Sequence, residues 1–370
     1  MTKKTFVTKP FIGNIESITK AISTAIENKA LTNHGPQHAL LTENLKNYLN
    51  VPNLSLFCNG TIALLTALKS LELTGEVITT PFTFPATVHA IEWAGLTPVF
   101  CDIDPDSMCI DPDKIEALIT SKTSAILGVH VYGIPCDLRK IDALRKRYNL
   151  KVVYDAAHAF LTQIDGRSLS EFGDVSMLSF HATKIFNTIE GGALVYHDPT
   201  LEESLFLRQN FGIKDQGDIR CSGINGKLSE IHSIVGLYNL ESLGSEITRR
   251  QVLFDLYSEQ LGRLNGVKLM TVPQNVTNGL QYFPILIDSS RTKTNSDLVK
   301  IALSERQIYT RRYFYPLCSN YPHYTSFESA SKELLPIANR ISEEVLCLPF
   351  YGELDHEKAL EICAVIKSLI

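Results

Sequence analysis

The stretch SAILGVHVYGIPCDLRKIDALRKRYNLKVVYDAAH, residues 124–158, decides the fold. Ser124–Val129 and Lys151–Asp155 are short apolar runs, and the segment Cys136–Tyr148 between them carries a helical pattern. Strands joined by a helical crossover lie parallel, whereas a tight hairpin would make them antiparallel. The alternation continues in both directions. Further strands are predicted at Leu54–Phe57, Glu76–Thr79, Thr97–Asp102, Val175–Ser179 and Gly192–His197, with helices at Gly60–Leu71, Phe84–Ala94 and Pro112–Leu118. Together they imply an α/β architecture built on a mainly parallel, doubly wound sheet. Ligands of such sheets sit beyond the carboxyl ends of the strands, so the residues just after each strand matter most.

From Leu228 a long helical pattern, EIHSIVGLYNLESL followed by EITRRQVLFDLYSEQLGRL, leads toward a second, smaller α/β unit. That unit is expected to hold a strand near Gln281–Ile287, a helix near Asn295–Arg306, a strand near Ile308–Tyr315 and a C-terminal helix. The expected division is a large domain over residues 1–245 and a small domain over 246–370, with the N-terminal segment packing against the small one.

A chain of 370 residues is too long for one small core, and its 44% apolar and 20% charged residues are ordinary for a soluble protein. The formal charge of −5 gives no electrostatic reason to expect nucleic acid or an anionic membrane as partner, so an anionic ligand must be held by local groups. The opening MTKKTFVTKPF has no apolar stretch after its lysines and does not read as a secretory signal. No run of about eighteen apolar residues exists for a membrane span. Eight cysteines lie scattered without a CxxC pair, which points to reduced thiols in a cytoplasm and to neither a disulfide framework nor a zinc site.

Four features follow successive strands. Cys58-Asn59-Gly60-Thr61 opens a helix, where backbone N–H groups and the helix dipole favour a phosphate; the same residues also make an ordinary turn and N-cap. Thr83-Phe84 offers an aromatic ring that could stack on a planar cofactor or fill the core. Asp155 ends an apolar strand and precedes Ala156-Ala157-His158. Its carboxylate could keep a pyridine nitrogen protonated, cap the next segment or bind magnesium. His158 could orient a ring hydroxyl or be purely structural. Finally, Ser179-Phe180-His181-Ala182-Thr183-Lys184 precedes Gly191-Gly192, and Lys184 is the only charged residue between Asp174 and Glu190. A lysine there can form an imine with an aldehyde and then act as a base at the same carbon. No GxGxxG follows a strand, which disfavours a nicotinamide oxidoreductase.

The order of these features resembles fold-type I pyridoxal-phosphate enzymes. More narrowly, the chain is similar to the DegT/DnrJ/EryC1/StrS sugar aminotransferases through LTNHGP at 31–36, NGTIALLTAL at 59–68, TPFTFPAT at 80–87, PVFCDIDP at 98–105 and HVYGIPCD at 130–137. YDAAHAF at 154–160, SFHATK at 179–184, EGGALV at 190–195 and GINGKLSEIHSIVGL at 223–237 extend the likeness to nearly the whole length. The resemblance implies pyridoxal 5'-phosphate as cofactor, joined to Lys184, with Asp155 on the pyridine nitrogen, His158 near the ring hydroxyl and Phe84 over the ring face. It implies Gly60, Thr61 and Ser179 around the phosphate, joined by Asn225 from the second subunit of a homodimer with shared active sites. The family often has Asn-x-Arg where this chain has Asn225-Gly226-Lys227, so no role passes to position 227.

The implied reaction moves the amino group of L-glutamate onto a nucleotide-linked keto sugar. TKKTFVTKPF, LTNHGP and SLFCNGTIALLTAL look most like transaminases of dTDP-4-keto-6-deoxy-glucose, which make a 4-amino-4,6-dideoxy sugar for surface polysaccharides such as lipopolysaccharide O-antigen. Amination at C3 of a 3-keto isomer is the alternative, since both types share the cofactor apparatus. The segment RRYFYP, with Arg311, Arg312, Tyr313 and Tyr315, is a candidate for substrate contact. Family dehydratases carry histidine where this chain has Lys184. A non-catalytic protein that binds the cofactor or a nucleotide sugar is the reading from another class.

Overall fold

The computed structural model describes residues 4–370, so the first three residues of the lysine-bearing N-terminal stretch lie outside the described residues. Seven strands form one sheet: β1 (Asn53–Phe57), β2 (Glu76–Thr79), β3 (Thr97–Phe100), β4 (Thr123–Val129), β5 (Lys151–Asp155), β6 (Val175–Ser179) and β7 (Gly192–Tyr196). Their order is β1-β7-β6-β5-β4-β2-β3. All pairs from β6 to β3 are parallel, while β7 runs antiparallel to both β6 and β1. The carboxyl ends of β1 to β6 and the amino end of β7 therefore share one edge. All seven expected strands are present, each within two residues of its expected ends.

The middle strands are buried on both faces, which is why they read as continuous apolar runs rather than alternating ones. Leu127 of β4, Val153 of β5 and Leu194 of β7 have no exposed surface. Helices Gly60–Ser70, Pro85–Trp93 and Leu138–Tyr148 supply the crossovers. Gly192 explains the tight fit at the site edge. A Cβ there would meet the Gly60 nitrogen at 2.7 Å and the Asn59 carbonyl carbon at 2.8 Å.

A single 32-residue helix, Glu230–Leu261, carries the chain onward, and residue 245 lies inside it. Beyond it β8 (Val267–Leu269), β9 (Phe283–Ile287) and β10 (Val345–Leu348) form an antiparallel sheet in that order. Helices Ser296–Glu305 and His356–Leu369 accompany it. One expectation fails here: Ile308–Tyr315 is not a strand. It makes only single bridges, Ile308 to Thr5 and Arg311 to Cys347, and then turns, with the Tyr315 N–H donating to the Arg312 carbonyl at 3.2 Å. The turn takes the backbone away from any strand partner. The sheet's third member is instead Val345–Leu348, a short apolar run at the end of helix Pro336–Glu344.

Several contacts tie the C-terminal part to the rest. The Thr5 N–H donates to the Gln307 carbonyl at 2.9 Å, and the Phe350 N–H to the Val7 carbonyl at 3.0 Å. The wholly buried carboxylate of Asp102, just past β3, accepts the N–H groups of Ile337 and Ala338 at 3.1 and 2.8 Å and pairs with Lys114 at 2.9 Å. An anionic acceptor at a helix N-terminus satisfies amides that have no partner within the helix.

Gly192→Ala should lower stability by about 1–3 kcal/mol, because the methyl collides with backbone that has no flexible end to yield. Urea unfolding measures it, and an unchanged midpoint would show that the Asn59–Gly60 loop moves freely.

Candidate active site

The shared strand edge opens into a cavity of about 310 Å³. Gly60, Thr61, Phe84, Asp155, His158, Ser179 and Lys184 all line it. Asn225 does not: it is exposed, on a segment bridged to Asn210, next to the loop where the Cys58 N–H donates to the Gly226 carbonyl at 2.8 Å. Of the RRYFYP candidates, Arg311 and Tyr313 line the cavity. Arg312 instead pairs with Asp297 at 3.0 Å and lies 3.8 Å over the Tyr315 ring.

Sheet register sets the floor. Asp155 pairs laterally with Val129 on one side and Met177 on the other, while Ser179, two residues beyond Met177, pairs with Gly192. Strand spacing and rise then put the Asp155 and Ser179 backbones about 8 Å apart. Asn59 caps the neighbouring helix, its Oδ1 accepting the Ile62 N–H at 2.8 Å and its carbonyl the Ala63 N–H at 3.1 Å. The amides of Gly60 and Thr61 are left free at the positive end of an 11-residue helix. Phe84 is 54% exposed, so it is not core filler.

Asp155 is buried and held by two donors: the Thr87 hydroxyl at 2.7 Å and the Ala157 N–H at 3.0 Å. Thr87 in turn shares a 2.7 Å hydrogen bond with Thr83. Burial raises the Asp155 pKa, while Thr87, Ala157 and the charge of Lys184 oppose that rise. Burial lowers the Lys184 pKa to about 8, against the pull of Asp155. The amine has no ion-pair partner among the described residues and sits 5.7 Å from the Tyr282 ring centre. His158 is pushed well below its ordinary value, chiefly by burial and then by Lys184, so it is neutral at pH 7. Its Nδ1 accepts the Tyr132 N–H at 3.2 Å, which leaves the proton on Nε2.

These groups fit pyridoxal 5'-phosphate. An acceptor suits its ring nitrogen, free helix amides and a serine hydroxyl suit its phosphate, and a partly neutral amine suits its aldehyde. A larger cleft of about 560 Å³ opens at the opposite, amino ends of β5 and β6. Its charges are spent on one another, Arg145 with Asp174 at 3.2 Å and Lys146 with Asp142 at 2.6 Å.

The DegT/DnrJ/EryC1/StrS aminotransferase family model matches residues 14–367. The chain belongs to this family. It is 42% identical over 362 residues to the dTDP-4-amino-4,6-dideoxy-D-glucose transaminase of Escherichia coli, covering 97% of each chain. With the enzyme of the same description from Shigella dysenteriae it shares 40% identity over 369 residues, covering all of both. Its fold superposes on the crystal structure of DesI in the presence of its TDP-sugar product with a TM-score of 0.94, at 33% identity, covering all of this chain and 93% of that one. The protein is thus a pyridoxal-phosphate-dependent sugar aminotransferase of the fold-type I class. No helix among the described residues is long and apolar enough to cross a membrane.

Sequence reading did not find Thr87, Tyr282 or Gln281, whose carboxamide flanks Lys184. Thr87 lies within the TPFTFPAT motif but carries no local sign of its bond to a strand-end aspartate 68 residues away. Because the lysine's lowered pKa makes its neutral form available early, uptake of pyridoxal phosphate by the apoprotein should accelerate as pH rises through about 8. Stopped-flow absorbance checks this. Acceleration only near the ordinary ammonium range would contradict the burial of the amine.

Proposed function

We propose that the protein transfers the amino group of L-glutamate to C4 of dTDP-4-keto-6-deoxy-glucose, giving 2-oxoglutarate and dTDP-4-amino-4,6-dideoxy-glucose for surface polysaccharides. The observation that carries this reading is full-length identity of 40–42% to two transaminases named for that 4-amino sugar. The cavity chemistry supports its cofactor half, which the C3 and C4 enzymes share.

In this reading Lys184 would hold the cofactor through its aldehyde, and its amine, once free, would serve as the base and acid that moves the proton at the reacting carbon. Pyridoxal phosphate, when bound, would supply the electron sink that makes this proton transfer accessible. Asp155 would accept a hydrogen bond from the protonated ring nitrogen, and the Thr83–Thr87 chain holds its carboxylate in place for it. The Gly60 and Thr61 amides with the Ser179 hydroxyl would hold the phosphate, Phe84 would lie over the ring, and the His158 Nε2–H would serve the ring hydroxyl. Arg311, without an ion pair among the described residues, faces the anionic part of a substrate.

Asn225 serves the cavity of a second copy in a cytoplasmic homodimer. Exposed Phe211, Ile219 and Ile224 around it are apolar surface that such pairing would cover.

Incubation with dTDP-4-keto-6-deoxy-glucose and L-glutamate, followed by NMR of the product, tests the reading. Nitrogen at C4 is expected, with no product from Lys184→Ala; nitrogen at C3 would overturn the substrate assignment. Arg311→Met should raise KM for the nucleotide sugar or glutamate about tenfold, the loss expected for one charge-assisted hydrogen bond. Unchanged KM for both would remove Arg311 from the binding surface.

A further inference from the structure

We infer that Gln281 is the positioning residue for the Lys184 amine, holding the lysine's backbone from both sides. The inference rests on the reading that Lys184 carries the cofactor. Lysine reaches its target through a flexible four-carbon stem, so the amine is placed no better than the Cα from which it starts. That Cα lies at the end of a turn, with the Lys184 N–H donating to the His181 carbonyl at 2.8 Å. The turn leaves the Thr183 carbonyl and the Ile185 N–H on either side without a backbone partner among the described residues.

One carboxamide takes both. The Gln281 Oε1 accepts the Ile185 N–H at 2.9 Å, and its Nε2 donates to the Thr183 carbonyl at 3.2 Å. A primary amide presents an acceptor and a donor side by side without having to be protonated. Gln281 is 1% exposed and is not part of the cavity wall, so any effect it has passes through Lys184.

The clamp is itself held. Leu280, buried beside it, adopts φ 48°, a left-handed conformation that leucine rarely takes. Its N–H donates to the Asn278 Oδ1 at 2.9 Å, and its carbonyl accepts from the Arg250 Nη1 at 3.1 Å. Arg250 is buried in the long helix and paired with Glu246 at 2.7 Å. Gly279 lies so close to the His158 loop that a Cβ would meet the Thr162 Oγ1 at 2.6 Å and the His158 carbonyl at 3.1 Å. The segment before β9 is thus fixed to the long helix on one side and to the site loop on the other, and it presents the amide rigidly.

Gln281→Met keeps length and volume without the bonds, and Gln281→Asn keeps the amide but falls one methylene short. The wild-type protein turning yellow with pyridoxal phosphate, and Lys184→Ala staying colourless, secure the underlying reading independently. Against that background, the stopped-flow rate of yellow absorbance in apoprotein and kcat should both fall at least about tenfold in Gln281→Met. KM for the nucleotide sugar should stay within about threefold, because the clamp does not touch substrate. Should the Met variant not fold, Gln281→Asn gives the same readings. Wild-type uptake rate and kcat in either folded variant would overturn the clamp while leaving Lys184's role intact.

Discussion

A lysine amine and an aspartate carboxylate occupy one cavity, and burial works against the charge of each. Lys184 is brought down to about 8 and Asp155 is raised, yet each charge also favours the other. Such a pair is stable only if the surrounding backbone cannot relax to let water in or let the groups drift apart. The parallel sheet provides this. Asp155 sits in lateral register between Val129 and Met177, and its carboxylate is fixed by Thr87 and Ala157. Lys184 is delivered from the next strand's loop and bracketed by Gln281. The free amides of Gly60 and Thr61 complete the edge only because Gly192 lets their loop lie against β7.

Much of this was legible in the sequence because the informative signals were local. Lys151–Asp155 and Val175–Ser179 read as strands from their apolar runs, and crossover length made them parallel. Residues after successive strands then became candidates by position, and Gly60, Thr61, Phe84, Asp155, His158, Ser179 and Lys184 line one cavity, whereas Asn225, which the family resemblance alone suggested, does not. Ile308–Tyr315 misled because its apolar and aromatic content favours a strand, while its path is set by contacts with Thr5 and Cys347 at opposite ends of the chain. Val345–Leu348 escaped for the converse reason. It is only four residues long, and its partner Phe283–Ile287 lies far away in sequence.

The supporting layer was not legible at all. Gln281 is 98 residues from Thr183, Arg250 is 30 from Leu280, and Asp102 is 235 from Ile337. Nothing local distinguishes a glutamine that clamps a distant turn from one on a surface. Asn225 illustrates a different limit: it lies outside its own chain's cavity, and only the proposed homodimer would give it a site to serve.

The chemistry proposed for the site turns on Lys184 being the residue to which pyridoxal phosphate is joined. Borohydride reduction of the cofactor-loaded protein, followed by proteolysis and mass spectrometry, locates the attachment directly. A phosphopyridoxyl group on the peptide containing Lys184, and on no other lysine in stoichiometric amount, is the predicted result. Stoichiometric label on a different lysine would contradict it.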